Sequence, residues 1–228
     1  MVDYRKLAAE LVGTFVFFLI GFMGINANIG FGLTNATGPD LLVIAFAFGL
    51  GLFVAIVIAG AVSGGHYNPA VTVGLTVGGK HPSNEAVQYI VAQIIGGVVA
   101  ALLAGVMFDG LNNFARESMV TKPGAGVSDF KAMLVELVAT LLFLMVISAV
   151  ATDKNAPWNG IQAPIFIGLF IFTAATVFGP ISGGSFNPAV SIAPAIVAGS
   201  FSNLWIYLVG PFVGGAIGGG LYMWFRDS

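Results

Sequence analysis

The sequence predicts an all-α membrane protein with six transmembrane helices and two re-entrant half-helices, arranged as two inverted repeats. Three observations predict this fold class. Of 228 residues, 57% are hydrophobic and 8% are charged, whereas a soluble domain carries roughly a quarter charged residues. Six windows are long and apolar enough to cross a bilayer as helices, and the two halves of the chain carry similar motifs in the same order.

The low and balanced charge narrows the possible functions. Lys and Arg together number 8 and Asp and Glu 10, for a formal net charge of -2, so nothing favours a nucleic-acid partner. Cysteine is absent, which excludes disulfides, thiolate nucleophiles and cysteine metal sites. We expect membrane lipid to be the solvent for most of the chain.

Six predicted spans follow one another, joined by short loops. A helix needs about 20 mostly apolar residues to cross the hydrocarbon core. The first window follows Arg5 and Lys6, as in a signal peptide, but its length, Glu10 and the lack of a small-residue cleavage site predict a retained helix. The predicted spans are residues 7–25, 41–61, 86–107, 130–151, 160–178 and 203–224.

The distribution of basic residues predicts the orientation, because Lys and Arg are enriched in cytoplasmic loops. An even number of spans places both termini on one side. With that side in the cytoplasm, five basic residues are inside and three outside, a weak bias. We therefore expect cytoplasmic termini in a plasma or inner membrane. The inside set is Arg5, Lys6, Lys80, Lys154 and Arg226, and the outside set is Arg116, Lys122 and Lys131.

The two halves of the chain are repeats. Residues 10–19 (ELVGTFVFFL) match 136–145 (ELVATLLFLM), and residues 63–72 (SGGHYNPAVT) match 182–191 (SGGSFNPAVS). A third pair, rich in glycine and alanine, starts at Tyr89 and at Tyr207. The common order and spacing indicate a duplication. Since each half contains three spans, the second copy is inverted, and we expect one channel domain, 1–228, with repeats at about 1–115 and 125–228.

Inverted repeats place their functional site near the bilayer midplane, where broken helices of the two halves meet. The candidate segments are Asn68-Pro69-Ala70 and Asn187-Pro188-Ala189, which precede apolar runs, 71–77 and 190–197, too short to span. Asn is a strong N-cap and Pro suits the first helical position. Two half-helices therefore begin here, with their positive dipole ends pointing at the midplane. We expect each Asn oxygen to cap its half-helix and both amide hydrogens to face a passing molecule, while Ala70 and Ala189 are small enough for the helix ends to touch.

The segments before the two Asn residues are expected to be non-helical. Such backbone is tolerated at membrane depth only where protein or a water-filled cavity satisfies its polar groups. A water at the centre would accept from both Asn side chains and turn its hydrogens outward, which breaks the chain along which protons hop. The carbonyl oxygens expected along the pore belong to Gly64, Gly65, His66 and Tyr67 and to Gly183, Gly184, Ser185 and Phe186.

These motifs resemble the aquaporins and aquaglyceroporins, the major intrinsic protein family, over nearly the whole chain. The resemblance rests on two Ser-Gly-Gly-x-x-Asn-Pro-Ala-Val segments, each preceded by a span that contains a glutamate. It implies an aquaporin-like fold and a homotetramer in which each subunit holds a passive pore for water and small neutral solutes, with no catalytic residue, cofactor or metal. It also implies that Glu10 and Glu136 are buried acids that hold the half-helix loops. The alternative for Glu10 is a position in interfacial water, against which its repetition as Glu136 argues.

His66 has a functional and a structural interpretation. Alone it would suit a proton shuttle or a metal ligand, but the chain has only two histidines and no partner cluster is visible in the sequence. We expect it to be a structural residue that lines the pore.

The family's narrowest ring falls at Phe48, Ala175, Gly184 and Val190 in this chain. Strict water channels of the family usually have Phe, His, a small residue and Arg there, and glycerol channels usually keep the Arg. Val in the last position resembles certain plant vacuolar members and bacterial metalloid channels. We expect a wider, more apolar ring that also admits glycerol, urea, ammonia, hydrogen peroxide or undissociated arsenous acid.

Other interpretations stay open. Phe178 or Phe186 would be able to refill the ring, and metalloid acids are an alternative main solute. A secondary transporter also uses inverted repeats and broken helices. A membrane enzyme is disfavoured, because no metal cluster or nucleophile–base pair is visible. The stretches 96–105 and 210–220 lack the dinucleotide-binding glycine pattern and are expected to pack helices closely.

Overall fold

The computed structural model describes residues 3–30, 41–109, 113–158 and 160–227. Within these residues, six helices are long and apolar enough to cross a membrane. They coincide with the predicted spans and are slightly longer, which confirms the fold class. Their bounds are Tyr4–Asn28, Leu41–Ser63, Ser83–Phe108, Asp129–Thr152, Ala163–Ser182 and Leu204–Arg226.

The helices of the described residues are numbered in chain order. In the second span a π-helical segment, Ile56–Gly60, joins the helices Leu41–Ala55 and Ala61–Ser63. The helix Asp129–Ile147 continues into another π-helical segment, Ser148–Thr152. The sequence analysis predicted neither π-helical segment, nor the short helix Asn113–Ser118. The helices are α1 (Tyr4–Gly30), α2 (Leu41–Ala55), α3 (Ala61–Ser63), α4 (Pro69–Val77), α5 (Ser83–Asp109), α6 (Asn113–Ser118), α7 (Asp129–Ile147), α8 (Ala163–Ser182), α9 (Pro188–Ala198) and α10 (Leu204–Asp227).

The half-helices α4 and α9 begin at Pro69 and Pro188, as predicted. Each follows a loop whose first residue is a glycine with a φ of 95°, Gly64 in one repeat and Gly183 in the other. This left-handed backbone suits glycine and ends the preceding helix. The loops therefore turn the chain back at membrane depth, in the same way in both repeats.

Glycines set the distance between the long helices. A Cβ atom on Gly96 of α5 would overlap a main-chain carbonyl of α1, and one on Gly214 of α10 would overlap a main-chain carbonyl of α7. A Cβ on Gly49 of α2 would lie 2.7 Å from the Gly168 oxygen of α8, and a Cβ on Gly168 would lie 2.7 Å from the Gly49 oxygen. The close packing predicted for the glycine-rich stretches is confirmed.

The apolar surface faces outward, as in a protein solvated by lipid. Large hydrophobic side chains are exposed along the spans, among them Leu42, Val57, Val87, Val106 and Leu169. The interior is built mainly from alanine and phenylalanine side chains. Polar groups are therefore concentrated inside the bundle, around the two half-helices.

Gly214→Ala is expected to lower the thermal unfolding temperature in detergent. The added methyl would meet the Leu137 backbone, which cannot move aside as a side chain can. Gly220→Ala on the same helix is the matched control, because its methyl would lie 3.8 Å from Val77 Cγ1 and alanine gains about 1 kcal/mol of helix propensity over glycine. Equal unfolding temperatures for the two variants would contradict the packing argument.

Candidate functional site

Glu10 on α1 holds the loop that precedes α4. One carboxylate oxygen accepts from Ser63 Oγ at 2.6 Å and from the His66 N–H at 3.0 Å. The other accepts from the Tyr67 N–H at 2.8 Å and from Gln93 Nε2 at 2.7 Å. The glutamate is fully buried, so the alternative of a position in interfacial water is wrong. Four donors offset the desolvation of the carboxylate.

Glu136 on α7 holds the loop that precedes α9 by equivalent contacts, except that it has no counterpart of the Gln93 contact. It accepts from Ser182 Oγ at 2.7 Å, from the Ser185 N–H at 3.0 Å and from the Phe186 N–H at 2.6 Å. It is also fully buried. The repeat places Pro211 where the first half has Gln93, so no side-chain amide completes this site. The two acids hold equivalent loops, Glu10 with four donors and Glu136 with three.

Two tyrosines also hold the loops, as donors to carbonyl oxygens. The Tyr89 hydroxyl donates to the Ser63 carbonyl at 2.9 Å, and the Tyr207 hydroxyl donates to the Ser182 carbonyl at 2.7 Å. The sequence analysis missed these roles and that of Gln93. The signal was present for the tyrosines, since both begin the third pair of repeated segments.

The two Asn side chains bind each other's loops across the centre. Asn68 Oδ1 accepts from the Ala70 N–H at 2.8 Å, and Asn187 Oδ1 accepts from the Ala189 N–H at 3.0 Å, as predicted for N-caps. The amide nitrogens then cross over. Asn68 Nδ2 donates to the Phe186 carbonyl at 2.9 Å.

Asn187 Nδ2 donates to the Tyr67 carbonyl at 3.0 Å, in the same way that Asn68 Nδ2 donates to Phe186. The expectation that both amide hydrogens of each Asn face the pore is therefore wrong. One is used between the repeats and one is left for a passing molecule. The Tyr67 and Phe186 carbonyls, expected along the pore, are likewise occupied by the opposite Asn.

A narrow cavity lies where the two loops meet. The part that the centre of a water molecule can occupy is about 10 Å³, the room of about one water. The predicted site residues that border it are Phe48, His66, Asn68, Ala175, Gly184, Ser185, Phe186 and Asn187. It is also bordered by Phe17, Leu52, Phe143 and Ile171.

The remaining predicted lining residues do not border this cavity. These are Gly64, Gly65, Tyr67, Gly183 and Val190, and Val190 is only 4% exposed. Of the two rings that were candidates to refill the constriction, Phe186 borders the cavity and Phe178 packs edge-on against it at 6.4 Å between ring centres. The Phe186 ring therefore lies at the wall of this cavity, and its Cζ atom would be 3.8 Å from a Cβ atom on Gly184.

His66 borders the cavity and also contacts the second histidine of the chain. Its Nδ1 lies 3.0 Å from Thr72 Oγ1, which accepts from Gln93 Nε2 at 3.0 Å. Its ring centre lies 4.7 Å from that of His81 and 5.1 Å from that of Tyr89. The sequence analysis did not predict this ring contact, because the two histidines are far apart in the sequence. Among the described residues, no group of three or more His, Cys, Asp or Glu residues is placed to hold a metal ion.

Comparison with known proteins gives consistent matches over the whole chain. The model of the family described as "Major intrinsic protein" matches residues 1–222. The chain is 40% identical over 222 residues to "Aquaporin TIP2-1" of Zea mays, covering 96% of this chain and 86% of that protein. It is 38% identical over 227 residues to "Aquaporin Z" of Photorhabdus laumondii, covering 96% of each.

A solved structure shares the fold. The aquaglyceroporin from Plasmodium falciparum superposes with a TM-score of 0.85, covering 99% of this chain and 96% of the other at 24% identity. At that identity the likeness supports the fold alone.

Glu136→Gln is expected to lower both thermal stability and water flux. Glutamine has the size of glutamate but no charge and only one acceptor oxygen. The donors of the second loop therefore lose their charged acceptor, and some of them face an NH2 group instead. Stopped-flow light scattering of proteoliposomes and thermal unfolding in detergent measure the two effects. Glu117→Gln, on an exposed residue that pairs with Lys122, is the matched control. Unchanged flux and stability in Glu136→Gln would show that the carboxylate does not hold the loop.

His81 gives a pH dependence outside the spans. Burial lowers the pKa of His81. The negative charge of Glu85 raises this pKa and the positive charge of Lys6 lowers it further. The His81 Nε2 atom has no hydrogen-bond partner among the described residues. A folded-state pKa below the ordinary value of about 6.5 means that the unfolded chain binds the proton more tightly. Stability should therefore fall as the pH drops below about 6.5.

His81→Gln should reduce that loss of stability. The measurement is the unfolding temperature of both proteins between about pH 7.5 and pH 5.5, a range that brackets the ordinary histidine pKa. We expect a steeper decrease for the parent. Identical pH profiles would mean that His81 titrates normally in the folded protein.

Proposed function

The chain belongs to the major intrinsic protein family, and from that premise we propose that each polypeptide encloses a passive pore for water and small uncharged solutes. Members of this family are channels and not enzymes, so the chain is a multi-pass membrane channel. The solutes, the filter and the assembly are the proposed part.

The observation that carries the proposal is the central cavity between Asn68 and Asn187. Both border it, and each keeps one amide hydrogen after the bond to the opposite loop. The half-helices α4 and α9 begin at these residues from opposite sides, so their positive dipole ends face the same point. A water there accepts from both amides, and cations meet an electrostatic barrier, as in aquaporin-type pores.

The residues around this centre favour neutral cargo. Phe17, Leu52, Phe143 and Ile171 give the cavity a mainly apolar wall, which does not compensate an ion for its lost hydration. Glycerol, urea, ammonia, hydrogen peroxide and undissociated arsenous acid are candidate solutes besides water. The absence of Arg and His from the predicted ring favours wider solutes, whereas the Phe186 ring narrows the space and favours water. A channel mainly for metalloid acids is the alternative.

A secondary transporter is the other alternative, and the buried acids argue against it. Transporters driven by ions need intramembrane groups that bind the ion. Both oxygens of Glu10 and both oxygens of Glu136 already accept hydrogen bonds from loops or side chains. These carboxylates therefore act as supports for the pore loops.

We further propose a homotetramer in a plasma or inner membrane with both termini in the cytoplasm. The exposed apolar faces of α2 and α8, with Phe46, Leu50, Phe166 and Leu169, are surfaces that subunits or lipid would cover. The distribution of basic residues supports the orientation. Mass measurement in detergent tests the tetramer.

Flux measurements on proteoliposomes test the channel. Stopped-flow light scattering under water, glycerol and urea gradients should give rates that are linear in the gradient and independent of added ions. Saturable flux that depends on an ion gradient would support the transporter instead.

Val190→Arg tests the proposed filter position. If Val190 lies at the constriction, an arginine narrows the ring and adds a cation, so glycerol and urea flux should fall far more than water flux. Val190→Met is the control, because it adds length without charge. A buried guanidinium costs several kcal/mol unless carbonyls or water satisfy it, so folding is checked by thermal unfolding. An unchanged solute-to-water ratio in a folded Val190→Arg protein would remove Val190 from the filter and leave the channel proposal intact.

A further inference from the structure

A polar cleft lies at the end of the bundle, where the loop after α7 meets the ends of α4 and α10. It encloses about 390 Å³ and is lined by, among others, Lys80, Asp153, Lys154, Tyr222 and Arg226. None of its lining residues borders the central cavity. The cleft is therefore separate from the proposed pore centre, and its size falls within the range of small-ligand sites, about 300–1,000 Å³.

One acid and one base in the cleft neutralise each other. Arg226 contacts both oxygens of Asp153, through Nε and through Nη2 at 3.2 Å. Asp153 also accepts from the Tyr222 hydroxyl at 2.8 Å and from the Asn155 N–H at 2.9 Å. The carboxylate is well supplied with donors, and its side chain is only 8% exposed. Arg226 is held in one orientation by this fork-to-fork contact.

The two lysines are not neutralised in this way. Within the described part of the chain, neither Lys80 nor Lys154 has a carboxylate within 4.0 Å. Both are exposed. The cleft therefore combines an oriented guanidinium with two ammonium groups and only one carboxylate, an excess of two positive charges.

The fold does not require these charges. The offsets that relate the two repeats place Gly199 at the position of Lys80, Ala27 at that of Asp153 and Phe108 at that of Arg226. The equivalent corner of the other repeat thus forms without any of them. The basic cleft is a property of one side of the molecule.

The cleft also lies at the depth of lipid head groups. The sixth span ends at Arg226, and the two residues before it, Trp224 and Phe225, are 66% and 52% exposed. Exposed aromatic residues at a span end mark the membrane–water interface. Basic residues next to a span attract anionic lipids.

We propose that this cleft binds a phosphate group, carried either by an anionic lipid or by a soluble phosphate compound. Arg226 supplies planar donors and the two lysines supply mobile charges, the combination that recognises phosphate oxygens. Lys80 lies three residues after the end of α4, and its N–H donates to the Leu75 carbonyl at 2.8 Å. A phosphate held between Lys80 and Arg226 therefore ties the half-helix α4 to α10.

The experiment compares the full-length protein in nanodiscs of phosphatidylcholine alone and with increasing phosphatidylglycerol. A separate arm adds inorganic phosphate to the phosphatidylcholine nanodiscs. The readout is the unfolding temperature, which a ligand of the folded state raises with its concentration. Lys80→Gln/Lys154→Gln is the test variant, and Lys131→Gln, an exposed lysine at the start of α7, is the control. Water flux in phosphatidylcholine liposomes checks that the test variant is folded.

We expect phosphatidylglycerol, inorganic phosphate or both to raise the unfolding temperature of the parent and of Lys131→Gln. The half-saturating concentration should be about tenfold higher for the double variant, equivalent to about 1.4 kcal/mol, because two of the three cationic groups in the cleft are removed. A response to lipid alone identifies a lipid head group, and a response to inorganic phosphate identifies a soluble compound. No stabilisation in either arm, or equal responses of the double variant and Lys131→Gln, would overturn the proposal.

Discussion

The interaction on which the pore region depends is the bond between a buried carboxylate and a strained loop. Tyr67 and Phe186 have left-handed backbones, with φ of 48° and 52°, a conformation that costs roughly 1–3 kcal/mol for a residue with a side chain. The N–H groups of these residues donate to Glu10 and Glu136, so each acid binds the loop at the strained residue. The next residue in each repeat is the asparagine that caps the half-helix. The position of the central donors is therefore set by two charges on the long helices.

The two repeats complete each other at the centre. Each Asn caps its own half-helix with its oxygen and binds the opposite loop with its nitrogen, which leaves it no rotational freedom. Ala70 and Ala189 are fully buried beside them, where a larger side chain would separate the half-helices. An orientation fixed in advance is what a donor needs if it is to hold a passing water in one direction without reorganising at each passage.

The sequence predicted the parts of this arrangement that depend on local chemistry. Apolar length predicted the six spans, and the Asn-Pro pairs predicted where α4 and α9 begin, because capping is decided within a few residues. The sequence did not predict the acceptors of the two Asn side-chain nitrogens. An Asn at a helix start has the same local sequence whether its amide hydrogens face water or a carbonyl oxygen. The contact between His66 and His81, and the place of Phe186 at the cavity, depend on tertiary packing in the same way. The roles of Phe48, Ala175, Gly184 and Val190 came from family positions, and Val190 lies off the cavity that the other three border.

The differences between the repeats indicate where selectivity can vary. His66 bonds Thr72 in the first half, and Ser185 bonds Ser191 at the equivalent positions, so a side-chain bond is kept while the residues change. The side chain that bonds Thr72 and the one that bonds Ser191 come from different parts of the fold. Gln93 on α5 binds both Thr72 and Glu10, which joins the pore wall to the buried acid, whereas Ser191 is bonded by Thr121 from the segment between the repeats. A substitution in the first network disturbs the support of the loop, but one at Thr121 does not reach Glu136. The second half can therefore vary the residues of this network with less effect on the support of its loop than the first half can.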